Sequence, residues 1–331
     1  MSEFYSGHLS SQDRMFEFLK KEIYSSLGCD CREGIRVFST NGSNAVYIYE
    51  ECTSNLRVVG KFFRSSRQQD WNIAIKHLER ELENIKRFRS YLGKYHYVAR
   101  PLGRNDELGC LLVIEYCSGI PLDTVIIRSI KENNDGILLA KLTSLAYFFA
   151  TVHNRSAQDS GVDFNQQCVY FSTLLKGIED VSSRHERDCL WKLCGKWKNK
   201  HSVWQDNEVL VHGDATPSNF LLGDGLHVIA FDMERVKLAD RCFDLGRLAA
   251  ELQHFFLRFT GNKYLAEKFI GHFLWEYSCH FPDRKSAFDS ICKRIPFYMG
   301  ANLLRIARNN YLGNEYRSLL KNEAFLTLER G

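Results

Sequence analysis

The character of this chain changes near Gly119, from mainly strand-like alternation to mainly helical spacing. Residues 35–63 alternate with period two, IRVFSTNGSNAVYIYE and then LRVVGKFF, and are rich in β-branched and aromatic side chains. Alternate side chains of a strand face opposite sides of a sheet, so the pattern predicts three antiparallel strands, the first two joined by a polar turn at residues 39–44. A charged segment at helical spacing follows, WNIAIKHLERELENIKRFRSYL, and two further strands are expected on either side of Asn105-Asp106, ending in CLLVIEYCSG. Beyond Gly119, ILLAKLTSLAYFFATVH is apolar on every face at helical spacing, as a buried helix is. Helical segments then run onward, interrupted by a short strand pair around NFLL and HVIAFD. The fold class read from this pattern is α+β: a small antiparallel sheet lobe with one helix at residues 35–116, and a larger, mainly helical lobe at residues 117–331. Ahead of both, Met15, Phe16, Leu19, Ile23 and Leu27 recur at helical spacing and predict an amphipathic helix in residues 1–34, packed on the body.

The length of 331 residues suffices for two lobes with separate cores. A formal charge of +4 with 25% charged residues supplies no dense basic face, which argues against a nucleic-acid partner. No run of about eighteen apolar residues is present, so no membrane span is expected. The eleven cysteines are scattered and none has C-x-x-C spacing. They read as reduced thiols, mostly buried, in a cytoplasmic protein.

Two segments carry chemistry together. HGDATPSNFLL sets His212, Asp214 and Asn219 in the order H-G-D-x-x-x-x-N, and VIAFDMER places Asp232 at the end of an apolar strand. The carboxylate of Asp232 and the carboxamide of Asn219 are hard oxygen donors suited to Mg²⁺, which completes its shell with phosphates and water. Asp214, ahead of that pair, is placed to accept a proton from an attacking hydroxyl.

This order of residues resembles the aminoglycoside phosphotransferase/choline kinase family, relatives of the protein kinases. The resemblance runs from about residue 36 to 252 and is strongest in HGDATPSNFLL and VIAFDMERVKLADRCFDLGRL. It implies a bilobal protein-kinase-like fold, with Asp214 as catalytic base, His212 as the residue that orders the loop, and Asn219 and Asp232 as ligands of Mg²⁺. Asp244, in RCFDLGRL, matches a family aspartate that ties down the loop backbone. Lys61, on the third predicted strand, takes the place of the lysine that reaches the α/β-phosphates of ATP. Glu81 takes the place of its glutamate partner, although Glu79 and Glu83 are close by. The turn departs from the kinase pattern, with Gly42 its one glycine, so phosphate contacts fall to backbone amides and to Ser39 and Ser43. Residues 112–117, with Glu115 and Cys117, resemble the hinge whose backbone reads adenine.

The resemblance implies an ATP-dependent kinase acting on a hydroxyl of a small molecule such as a sugar, amino sugar or amino alcohol. Asp232-Met233-Glu234 stands where protein kinases have D-F-G, and the short interval to Asp244 leaves no room for a regulated activation segment. That disfavours a protein-directed kinase. A nucleotide-binding pseudokinase serving as a regulatory module is the alternative, against which stand the retained Lys61, Asp214, Asn219 and Asp232. The acceptor pocket is expected among the helices after Asp244 and residues 153–204. Arg235, Lys237, Arg241, Arg305 and Arg308 are read as solvated helix faces or partners of Asp240 and Asp244, with an anionic acceptor as the other reading.

Overall fold

The computed structural model describes residues 3–40, 45–64 and 68–331. The chain divides into two compact units. The first comprises Met1–Ser90, Tyr97–Gly119 and Ile229–Glu234; the second comprises Tyr91–His96, Ile120–Val228 and Arg235–Gly331.

In the first unit, β1 (Glu3–His8), β2 (Ile35–Thr40), β3 (Ala45–Glu51) and β4 (Arg57–Phe62) are joined by β6 (Pro101–Asn105) and β7 (Leu111–Glu115). They form one antiparallel sheet in the order β1-β2-β3-β4-β7-β6. The period-two pattern accounts for its two faces. Tyr49, Val58, Leu111 and Val113 pack on Met15, Phe18, Leu19, Ile23 and Tyr24 from the N-terminal segment. Lys61, one residue out of phase with Phe62 on β4, is paired with Val46 and Leu112 in the ladder. The helix α2 (Trp71–Arg89) starts at Asp70, whose side chain accepts from the amides of Asn72 and Ile73.

The N-terminal segment departs from the helix expected throughout residues 1–34. Glu3–His8 is a strand on the edge of β2. An edge strand offers a row of unpaired backbone groups, and β1 satisfies them despite its weak intrinsic pattern. The helical part is confined to α1 (Arg14–Phe18), a π-helical turn at Leu19–Tyr24 and a 3₁₀ turn at Ser25–Leu27.

The chain also carries the short β5 (His96–Val98) and, in the second unit, β8 (Ile120–Pro121). The second unit then carries α3 (Leu122–Glu132), α4 (Asp135–Arg155), α5 (Phe164–Lys176) and α6 (Arg184–Lys198). After them come β9 (Val209–Val211), β10 (Phe220–Leu222), β11 (Val228–Ala230) and β12 (Lys237–Ala239). Last are α7 (Cys242–Thr260), α8 (Glu267–Ser278), α9 (Arg284–Cys292), α10 (Ile295–Ala307) and α11 (Asn314–Arg330). α4 packs on α8, and α10 packs on both α7 and α11. Among the described residues α4 is the one helix long and apolar enough to cross a membrane by composition, but most of it is buried inside this unit.

α7 is a buried helix with a polar stripe. Asp244, Arg247, Glu251 and His254 recur at intervals of three and four residues, so they share one face, and all four are buried. Buried polar side chains need partners, and those partners define the site. At its start, Arg241 bonds Asp206 through two nitrogens at 2.8 and 3.2 Å, and Arg294 bonds Asp206 at 2.6 Å and Asp240 at 2.7 Å. This network anchors α7 and α10. It gives Asp240 the partner Arg294, and Arg241 the structural partner Asp206.

Candidate active site

Lys61 lies between two carboxylates of the first unit. Its Nζ is 2.6 Å from Glu81 Oε2 and 2.7 Å from Asp232 Oδ1, and it is 7% exposed. The face of α2 explains why Glu81 is the partner. Ala74, Leu78, Glu81, Ile85 and Phe88 form its buried stripe, whereas Glu79 and Glu83 are exposed, Glu79 lying 3.8 Å from Arg104. Burial opposes charge on Lys61, but Glu81 and Asp232 outweigh it and hold the ammonium above the ordinary lysine range. Burial pushes the Glu81 carboxyl up to about 7, against the pull of Lys61.

Asp232 itself has φ +63°, a left-handed conformation that is uncommon outside glycine and costs on the order of 1 kcal/mol or more. The lysine bond, together with Asn84 Nδ2 donating to the Met233 carbonyl at 2.7 Å, holds the segment in place. Oxygens of Glu81, Asp232 and Glu234 lie within 4.8 Å of one another, a hard-donor cluster of the kind that takes a divalent cation.

In the second unit the loop after β9 is shaped by its backbone. Gly213 has φ +77°, and a Cβ there would fall 2.0 Å from the Arg235 carbonyl oxygen, so glycine is required between His212 and Asp214. Asp244 on α7 accepts from the amides of His212 at 2.6 Å and Gly213 at 3.0 Å. His153, 3.4 Å from the same carboxylate, is held in turn by Tyr277. The loop amides bound to Asp244 are the backbone tie that the resemblance implies for it. His212 Nδ1 accepts from the Asp214 amide at 3.3 Å, and its ring packs on Phe220. Asn219 Nδ2 donates to the Asp214 carbonyl at 2.9 Å, which fixes the orientation of its amide.

Asp214 is held by arginines. Arg247 Nη1 bonds its Oδ1 and also the Gly213 carbonyl, the latter at 2.8 Å. Arg235 Nε is 3.7 Å from Oδ2. Burial alone would raise the Asp214 pKa, but Arg247, Arg305 and Arg235 outweigh it and hold the carboxyl below the usual range. Arg247 was not singled out from sequence, although it follows Asp244 by three residues and so shares its helix face.

The remaining sequence candidates fall as follows. Ser39 lies on β2 and its Oγ donates to the Phe4 carbonyl at 3.4 Å, so β1 engages the hydroxyl that the sequence reading reserved for phosphate. Gly42 and Ser43 lie outside the described residues. Glu115 ends β7 with its amide bonded to the Arg100 carbonyl at 2.9 Å. The Cys117 amide makes no hydrogen bond among the described residues, and burial pushes its thiol up to about 12. Arg305 pairs with Glu251, and Arg308 caps α10.

A sheet unit with a buried lysine–glutamate pair and a helical unit carrying an H-G-D loop define a class of phosphotransferase, and comparison with known proteins agrees. The phosphotransferase enzyme family is matched over residues 34–277, and the chain belongs to that family. No curated protein matches the chain by sequence. Among solved structures, the ADP-bound aminoglycoside phosphotransferase APH(2'')-Ib is similar with a TM-score of 0.54 and 14% identity, covering 93% of this chain and 98% of that one. Plasmodium vivax ethanolamine kinase gives 0.57 and 13%, covering 97% and 94%. Macrolide 2'-phosphotransferase type I gives 0.57 and 13%, covering 96% and 99%. At these identities the likeness establishes the fold, the protein-kinase-like α+β fold.

Proposed function

We propose that this phosphotransferase transfers the γ-phosphate of Mg·ATP to a hydroxyl of a small molecule such as a sugar, an amino sugar, an amino alcohol or a related metabolite. The observation that carries the reading is Lys61 Nζ lying within 2.7 Å of both Glu81 and Asp232. A lysine so fixed is aligned for the α/β-phosphates, and the aspartate beside it for the cation that accompanies them. That APH(2'')-Ib binds ADP supports a nucleotide as donor.

Each residue then has a role. Lys61, directed by Glu81, binds nucleotide phosphate. The backbone at Glu115 and Cys117 reads the base, and phosphate contacts fall to Ser39, Gly42 and Ser43, with the Ser39 hydroxyl exchanging its bond to the Phe4 carbonyl for phosphate. Asp232 and Asn219 provide oxygens for Mg²⁺, which when bound neutralises charge on the β- and γ-phosphates. Asp214 orients the acceptor hydroxyl and takes its proton. Its depressed pKa makes it a weak base, adequate where the transferring group is metaphosphate-like and the hydroxyl proton moves late. His212 and Asp244 hold the loop. Eleven unpaired cysteines fit a reducing compartment, the cytoplasm.

The experiment is a transfer screen with γ-labelled ATP and Mg²⁺ across amino sugars, choline, ethanolamine, sugars, nucleosides and homoserine. Label in at least one hydroxyl acceptor, lost on Asp214→Asn, is the expected result. Binding of ATP without transfer to any acceptor or to water would favour the pseudokinase alternative.

A further inference from the structure

Asp214 is surrounded by cations. Arg247 and Arg235 reach its two carboxylate oxygens. Arg305, on α10, pairs with Glu251, one helical turn beyond Arg247 on α7. Lys237 stands opposite Val211, where the catalytic loop begins. Its Nζ lies 4.0 Å from the centroid of Phe243, the ring that the Arg247 guanidinium covers at 5.1 Å. Three arginines thus stand around Asp214 and Glu251, and Lys237 stands beside Arg247 with Asp244 as the carboxylate that acts on it.

These cations are engaged to different degrees. Arg247 is fully used, by Asp214, the Gly213 carbonyl, Asn302 at 2.8 Å and the Tyr170 hydroxyl at 3.2 Å, and serves as a positioning residue. Lys237 is half-buried and has no carboxylate partner among the described residues. Burial, reinforced by Arg247, draws its pKa below the ordinary lysine range. Arg305 Nε is buried without a hydrogen-bond partner among the described residues. Arg235 leaves 46% of its side chain exposed. A half-buried ammonium without a carboxylate partner and an unsatisfied guanidinium nitrogen both favour an incoming anion.

We propose that the acceptor is a hydroxy compound bearing an anionic group, a carboxylate or a phosphate, held by Lys237, Arg235 and Arg305 while its hydroxyl meets Asp214. This rests on the phosphotransferase reading above and names its substrate class. In the reaction the acceptor oxygen bonds to the γ-phosphorus. The bond from that phosphorus to the β–γ bridging oxygen breaks, its electron pair leaving on ADP, and the hydroxyl proton passes to Asp214. An amine-bearing acceptor would meet like charge around the same carboxylate, an opposition that persists even at an effective dielectric constant of about 20.

The test uses matched acceptors: glycerate against glycerol, and glucose 6-phosphate against glucose and glucosamine. With Mg·ATP, kcat/KM for an anionic member exceeds that of its matched neutral and cationic partners by about tenfold or more, as a charge-assisted contact implies. Lys237→Gln and Arg235→Gln raise KM for that acceptor more than they lower kcat, and Lys237→Arg restores it. Preference for the amine overturns the proposal while leaving the phosphotransferase reading intact. Equal losses with neutral and anionic acceptors also overturn it, since the cations would then serve the transferred phosphoryl group. A protein that binds no Mg·ATP overturns the underlying reading and the proposal with it. As a second measurement, with Mg·ADP saturating, glycerate or glucose 6-phosphate raises the Tm of the parent protein but not of Lys237→Gln; no rise with either overturns the proposal.

Discussion

Lys61, Glu81 and Asp232 form a three-residue unit in which the lysine's direction depends on both acids. Residues that act as a unit are non-additive. Lys61→Ala should therefore lower kcat severely, Glu81→Ala more mildly, and the double variant should be little worse than Lys61→Ala. A double-mutant cycle on kcat/KM checks this, and fully additive losses would mean that Glu81 works independently of Lys61. Arg247 offers a second test at this scale. Its guanidinium is the leading cause that holds the Asp214 pKa down against burial. Replacing it by methionine keeps much of the volume and removes the charge, so the Asp214 pKa rises. The acid limb of the kcat/KM profile should move to higher pH, and an unmoved limb would show that Asp214 does not set it.

At the scale of elements, β5 and α4 meet at His96. Its ring lies edge-on to Tyr147 at 4.7 Å and Phe148 at 5.4 Å, and neither ring nitrogen has a hydrogen-bond partner among the described residues. Burial lowers its pKa to about 4. The unfolded value is about 6.5, so between these limits the unfolded chain binds the extra proton. The contribution of neutral His96 is thus fully present above about pH 6.5 and is lost as pH falls toward 4, by at most about 1.4 kcal/mol per unit. Denaturant midpoints of His96→Gln should fall less steeply than the parent's between pH 6.5 and 4. His254, also held near 4 by burial, keeps its own share of the slope. An unchanged slope would mean that His96 is not buried neutral. Legibility in the sequence follows the same division between local and distant causes. Strands β2 to β4 and the H-G-D loop were legible because period and spacing are local. β1 was not, because its ladder is set by the open edge of β2, and the engagement of Ser39 was missed with it. Arg247 was legible as spacing but not as function, since the loop that its face of α7 meets lies more than thirty residues upstream.

At the scale of the whole molecule, the chain leaves the second unit after Val228, contributes Ile229–Glu234 to the first, and returns at Arg235. That excursion carries Asp232, so the acid assigned to the metal belongs with Lys61, while the acid assigned to the acceptor, Asp214, belongs with the helical unit. In the proposed function, nucleotide binding is therefore separable from chemistry. Titration calorimetry of ATP with and without Mg²⁺, on the parent protein, Asp232→Ala and Asp214→Asn, tests the separation most directly. Binding is expected to depend on Mg²⁺ and to weaken by about tenfold or more in Asp232→Ala, the scale of a lost charge-assisted contact. Asp214→Asn keeps that binding yet loses transfer by about 10²–10⁴-fold, the usual contribution of a general base. Undiminished Mg·ATP binding by Asp232→Ala, or full turnover by Asp214→Asn, would contradict it.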